Sequence, residues 1–137
     1  MTGQQVEDIV FDLVQNSTLA SAINGNVYRA GTRPKDSQDE DIVVKFIEGF
    51  DGQIETGRVD VNTFIPDIHD TENDSYFKNV DRCRQIEEIA DTWIKSLPSE
   101  LDFYYTLANT INTEQEQALN QHFIAVRLEY KFFNTTY

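Results

Sequence analysis

Glu129 and Lys131 flank Tyr130 in a Glu-x-Lys spacing near the end of the chain. On a strand this spacing puts the carboxylate and the amine on one face. Metal-dependent nucleases set such a pair beside an upstream aspartate to hold a divalent ion and orient water. Asp67, after Pro66, is the aspartate on offer, but a whole predicted helix separates it from the pair. Motifs this short recur by chance, and Arg127, Glu129 and Lys131 read more readily as a solvated charged stripe. A second candidate is the acidic run Asp67, His69, Asp70, Glu72 and Asp74. It lacks the central glycine and the terminal bidentate glutamate of an EF-hand loop, so a solvated acidic loop is expected. His122 has no base or nucleophile at readable spacing and is expected to be structural. Cys83 falls on an apolar helical stripe, which points to a buried, inert thiol. The six glycines are scattered at turns and form no phosphate loop. No catalytic residue, metal or cofactor is expected.

The elements that would position these residues follow from periodicity. Val6, Ile9, Val10, Leu13 and Val14 recur at helical spacing, and Ser17 is placed to cap a short second helix carrying Leu19, Ala22 and Ile23. Val27–Ala30 reads as a short strand, followed by a polar loop over 31–41. Asp41–Ile47 and Glu55–Ile68 form a hairpin around Asp51-Gly52. On its second strand Val59, Val61, Thr63 and Ile65 face one way and Arg58, Asp60, Asn62 and Phe64 the other. Asp67–Ser75 reads as a second acidic loop. Tyr76, Val80, Cys83, Ile86, Ala90, Trp93, Ile94 and Leu97 predict a long helix from Tyr76 to Leu97, ended by Pro98. Phe103–Leu107 is a strand, Asn112–Asn120 a polar loop, and His122–Phe133 a long alternating strand. The order α-β-β-β-α-β-β predicts one α+β domain over residues 1–137, an antiparallel or mixed sheet covered on one face by two helices.

The chain has 137 residues and a formal net charge of −13, from 24 acids and 11 bases. That is enough length for one buried core, and it disfavours nonspecific binding to nucleic-acid phosphate or anionic membrane. One cysteine excludes an internal disulfide. The N-terminus lacks a basic region and no apolar run approaches membrane length, so a cytoplasmic setting, or a particle assembled there, is expected.

The outward face of the last strand carries Phe123, Ala125 and Phe133, with Phe64 and Tyr104 on the same side. Aromatics on a face without helices mark an interface more often than a ligand pocket. The oligomer-interface candidates are therefore Phe64, Phe123, Arg127, Glu129 and Phe133.

A pattern spread over most of the chain bears on what that interface does. It runs through Ile23-Asn24-Gly25-Asn26-Val27-Tyr28, Arg33-Pro34, Ser37-Gln38-Asp39-Glu40-Asp41-Ile42-Val43-Val44 and Gly57-Arg58-Val59-Asp60-Val61-Asn62-Thr63-Phe64-Ile65-Pro66-Asp67, then a helix and a closing hairpin. In this it resembles the tail-completion, or tail-terminator, family of long-tailed bacteriophages and prophages, in a form similar to those of Bacteroidetes phages. The resemblance implies a noncatalytic virion protein, assembled in the host cytoplasm. It implies self-association as a ring, commonly six-fold, that caps the head-proximal end of the tail tube and meets the neck, or head–tail connector. DNA would slide through the lumen unbound, repelled by carboxylates. The lumen candidates are the two acidic loops, Asp36, Asp39, Glu40 and Asp41 in one and Asp67, Asp70, Glu72 and Asp74 in the other. Two other functions fit parts of the sequence. An acidic inhibitor that mimics DNA suits the net charge, although such a mimic should array its acids over one surface. The Glu-x-Lys nuclease is the other.

Overall fold

Strict alternation of apolar and polar residues builds the centre of the molecule. β2 (Ile42–Phe50), β3 (Ile54–Pro66) and β8 (Gln121–Phe133) are long antiparallel neighbours. Val59, Val61, Thr63 and Ile65 of β3 and Ile124, Val126, Leu128 and Tyr130 of β8 are all buried on one side. The computed structural model describes residues 1–97 and 103–133. Its main sheet has six strands. β1 (Val27–Arg29) pairs with β2 in parallel and forms one edge. β6 (Phe103–Leu107) and β7 (Asn112–Glu116) both pair with β8 and together form the other edge.

The helices cover one face. α1 (Gly3–Gln15) lies over β1 and β2; α3 (Val80–Lys95) lies over β8, β3 and the β6–β7 edge, with the short α2 (Thr18–Ala22) against it. Thr2 and Gln5 form a capping box that starts α1, and Ser17 accepts the Ala20 amide to start α2, as its position predicts. The core joins Val6, Val10 and Val14 to Ile42, Val44, Ile86, Ala90 and Trp93. Phe11, outside the predicted stripe, is also buried, because the Arg29 guanidinium lies 4.0 Å above its ring. The α+β class and the one-sided helical cover are thus as the sequence predicts.

Three elements differ from the sequence reading. The long helix starts at Val80, where the Asn79 side chain accepts the Arg82 amide; Tyr76 and Val80 are exposed rather than on the buried stripe. Pro98, the predicted stop, lies outside the described residues. The second acidic loop is a hairpin, β4 (Ile68–Asp70) with β5 (Ser75–Phe77). The polar stretch after residue 112 contains strand β7, held by hairpin pairing with β8 in spite of its composition.

Candidate functional site

The face of the sheet away from the helices is built in rows by the strand register. Phe64 pairs with Phe123, Asn62 with Ala125, Asp60 with Arg127, Arg58 with Glu129, Thr56 with Lys131 and Ile54 with Phe133. Direct cross-strand neighbours interact, and here each row has its own chemistry. The Phe64 and Phe123 rings lie 5.4 Å apart, and the Arg33 guanidinium caps Phe64 at 4.3 Å. Arg127 donates to both Asp60 oxygens, at 2.7 and 3.0 Å. That two-point hydrogen bond pushes the guanidinium pKa further up. Arg58 bonds Glu48 of β2 at 3.0 Å, with Glu129 on its other side in register. Tyr104 meets Phe133 edge-on at 5.6 Å.

All five interface candidates lie on this face, and the register brings them into one column along β3 and β8. Their exposure differs. Phe64 and Phe123 are partly buried, Phe64 beneath the residue 31–41 loop that supplies Arg33, while Phe133 is open. Phe50, Ile54, Tyr104 and Phe133 gather at the end of the sheet formed by the β2–β3 turn and the end of β8, and each is at least a third exposed. Lys131 stands among them and makes no ion pair among the described residues.

The proposed lumen acids do not form one set. Glu40 is buried and takes a two-point bond from Arg82, at 2.7 and 2.8 Å. Asp41, 1 % exposed, accepts from Arg33, Ser37 and the Asn26 amide. Burial raises its pKa, but the hydrogen bonds from Ser37, Asn26 and Arg33 outweigh that and hold the carboxyl below its usual range. Arg33 also reaches Gln121 at 3.1 Å, and Gln121 bonds the Ser37 carbonyl, so the loop is pinned to the start of β8. Asp67 is largely buried against His122, 2.7 Å away. These three carboxylates are internal fasteners, and that corrects their own placement among the lumen candidates. Asp36, Asp39, Glu72 and Asp74 are exposed, and Asp70 partly so. Sequence reasoning missed the Asp67–His122 pair because its members are 55 residues apart; the strand pairing alone joins them.

The nuclease constellation does not come together. Asp67 follows Pro66, which pairs with Gln121, whereas Glu129 sits opposite Arg58. At about 3.3 Å per residue the two are roughly 25 Å apart along the strands. Among the described residues no cluster of His, Cys, Asp and Glu is arranged to hold a metal ion, and no helix is long and apolar enough to cross a membrane. Cys83 is buried, and burial pushes its thiol pKa up. No family model matches the sequence, and no curated protein matches it.

The β4–β5 hairpin is the second surface feature. Beyond glancing contacts its two strands pack on each other and on no other described element. Its tip is shaped by its own bonds: Asp70 accepts from the Glu72 amide and from Asn73, and Asp74 adopts a left-handed backbone at φ 49° and meets His69 at 3.0 Å. Asp tolerates that region better than most residues. His69 stacks on Tyr76 at 4.5 Å, and Ile68 and Phe77, paired in register, are both more than half exposed. The hairpin is an arm with apolar groups on both faces.

Proposed function

We propose that this chain is a noncatalytic structural protein of a long-tailed phage or prophage particle. In this reading it is a terminator that assembles in the host cytoplasm as a ring of identical subunits. The ring caps the tail tube and presents its other side to the neck. The observation that carries this is the one-sided sheet. Helices clothe one face, while the other keeps ordered ring and ion pairs and ends in an exposed aromatic cluster. A long face of that kind on a monomer invites uncontrolled association, and a closed head-to-tail ring covers it with a contact that ends when the rotation closes. The sequence resemblance to tail terminators supports the same reading. Exposed acids such as Asp36 and Asp39 suit a lumen through which DNA passes without binding.

Sedimentation over a concentration series, at low and moderate salt, tests the proposal. Subunits at −13 repel, and near 0.15 M salt a screening length of about 8 Å removes most of that repulsion. Assembly should therefore strengthen with salt and give rings by negative-stain imaging. A strict monomer in all conditions, with no binding to preformed tail tubes, would overturn it.

A further inference from the structure

We propose that the open sheet face is self-complementary and that two copies of this chain pair through it, about a two-fold axis running across the strands. The proposal goes beyond the ring reading. It uses the face that a ring neighbour would cover, so it describes the chain before assembly.

The charges of this face alternate in both directions. Across β2, β3 and β8 one row holds Lys45, Asp60 and Arg127, and the next holds Glu48, Arg58 and Glu129. The bulge in β2 after Phe46 is what brings Glu48 into that second row. Two-fold rotation about a line between these rows lays each strand antiparallel over its own counterpart and exchanges the rows. Arg58 then meets the second copy's Asp60, Glu129 its Arg127, and Glu48 its Lys45, so every charge of both rows meets its opposite. Arg127 keeps its own Asp60 and Arg58 its own Glu48, and each pair gains a counterpart. The outer rows follow from the register. Phe133 comes over Phe123, Ile54 over Phe64 and Phe50 over Val43, so the exposed apolar end of each copy meets the apolar row at the far end of the other. Lys131 comes over Ala125, with the second copy's Asn112 and Glu114 on the adjoining strand. Asp51 lies in the turn beyond the rows and takes no part.

Size and shape agree. From Ile54 to Phe64 the face runs roughly 33 Å at about 3.3 Å per residue, and four strand widths of about 4.8 Å give roughly 19 Å across. That is roughly 600 Å² per copy and about 1,200 Å² in all, the lower end of stable specific interfaces. Sheets pack face to face with their strands within about 30° of one line, which this axis allows. A two-fold axis along the strands would also oppose charges, with Arg58 over Glu129 and Asp60 over Arg127. It would press the residue 31–41 loop, which overlies Phe64 through Arg33, against the same loop of the other copy, and it leaves Lys45 without an acid. The axis across the strands sets that loop beside the open end at Ile54 and Phe133. Such a pair keeps the adhesive face covered until a ring neighbour displaces one copy.

Sedimentation of the full chain over a concentration series tests the pair, and wild type should pass from monomer to dimer. Lys45→Glu sets two acids together at both symmetry-related contacts and should weaken pairing on the order of tenfold or more. Glu48→Lys added in the same chain exchanges the two charges and should restore it. About the axis along the strands Lys45 has no charged partner, so pairing unchanged by Lys45→Glu would overturn the proposed axis, as would a double variant that stays weak. Phe133→Asp, at the far end of the face, should weaken pairing by a similar factor. Lys45 and Phe133 are exposed and Glu48 partly so, so the variants should fold, which an unchanged unfolding midpoint will verify. A wild type that passes from monomer to rings with no dimer would overturn the pair and leave the ring standing. A dimer that responds as stated but never binds preformed tail tubes would uphold the pair and remove the terminator. A strict monomer would overturn both.

Discussion

The two sides of β3 obey one alternation and are held by different forces. Val59, Val61, Thr63 and Ile65 are almost inaccessible and sit in a continuous core under α1 and α3. Arg58, Asp60, Asn62 and Phe64 face away from the helices, and Arg58, Asp60 and Phe64 are fixed by partners across the strands. Burial of an apolar side chain is worth about 1.5–3 kcal/mol, whereas a partly exposed ion pair is worth at most about 1 kcal/mol. The helical side therefore sets stability. The open side contributes little to folding and is free to be shaped for a partner.

The contrast can be broken most severely from the covered side. Trp93→Ala removes a buried ring from the last turn of α3 and should cost about 3–5 kcal/mol, read as a fall in the denaturant midpoint with an unchanged slope. A near-neutral result would take α3 out of the core. Asp41→Asn, at the rim between the two faces, leaves Arg33 with a buried charge and lost partners. It should cost about 3–5 kcal/mol. Because the folded carboxyl lies below its ordinary value, its stabilisation is complete above about pH 4, the unfolded value, and is lost as pH falls through the folded one. An acid titration of wild type and variant should show the two stabilities converging as the pH drops below about 4.

Gly57→Ala tests how closely the strands approach. A Cβ there would collide with the Glu48 carbonyl and the Tyr130 ring, so a loss of about 1–3 kcal/mol is expected in thermal or chemical unfolding. The smallest effect on folding should come from the open side. Arg127→Ala ought to change stability by no more than about 1 kcal/mol. The same variant should weaken self-association measured by sedimentation. A large loss of stability with intact assembly would reverse the roles assigned to the two faces.

Much of the covered side was legible in the sequence, because burial writes a period. Two residues per repeat on β3 and β8, and three to four on α1 and α3, gave the sheet and its helical cover. The open side was legible only as residue types. Phe64, Phe123 and Phe133 were recognisable as aromatics outside the stripe, but their different exposures depend on where the residue 31–41 loop folds back. The roles of Glu40, Asp41 and Asp67 were hidden for the same reason: each carboxylate finds its partner through the folding back of loop or strand, not through a helical or strand period. The arm was hidden by brevity. Three-residue strands carry too little alternation to separate from a loop, although Tyr76-Phe77 opposite Ile68, across a polar turn, was an available hint. β7 was hidden by composition, since an edge strand with a solvated face can be built almost wholly from polar residues.

The pairing of β3 with β8 also governs how the chain can fold. Asp60 and Arg127, partners across the centre of the sheet, are 67 residues apart in sequence. β2 and β3 can close early around their own turn. The other edge of β3 must then wait, open, while the arm, α3 and the β6–β7 segment are made. Loop closure over such separations slows folding, and an unpaired strand edge during that delay is a site for misassociation. A holding chaperone, or a slow rate of synthesis through residues 66–120, should therefore raise the yield of native protein more than any single stabilising substitution in the core.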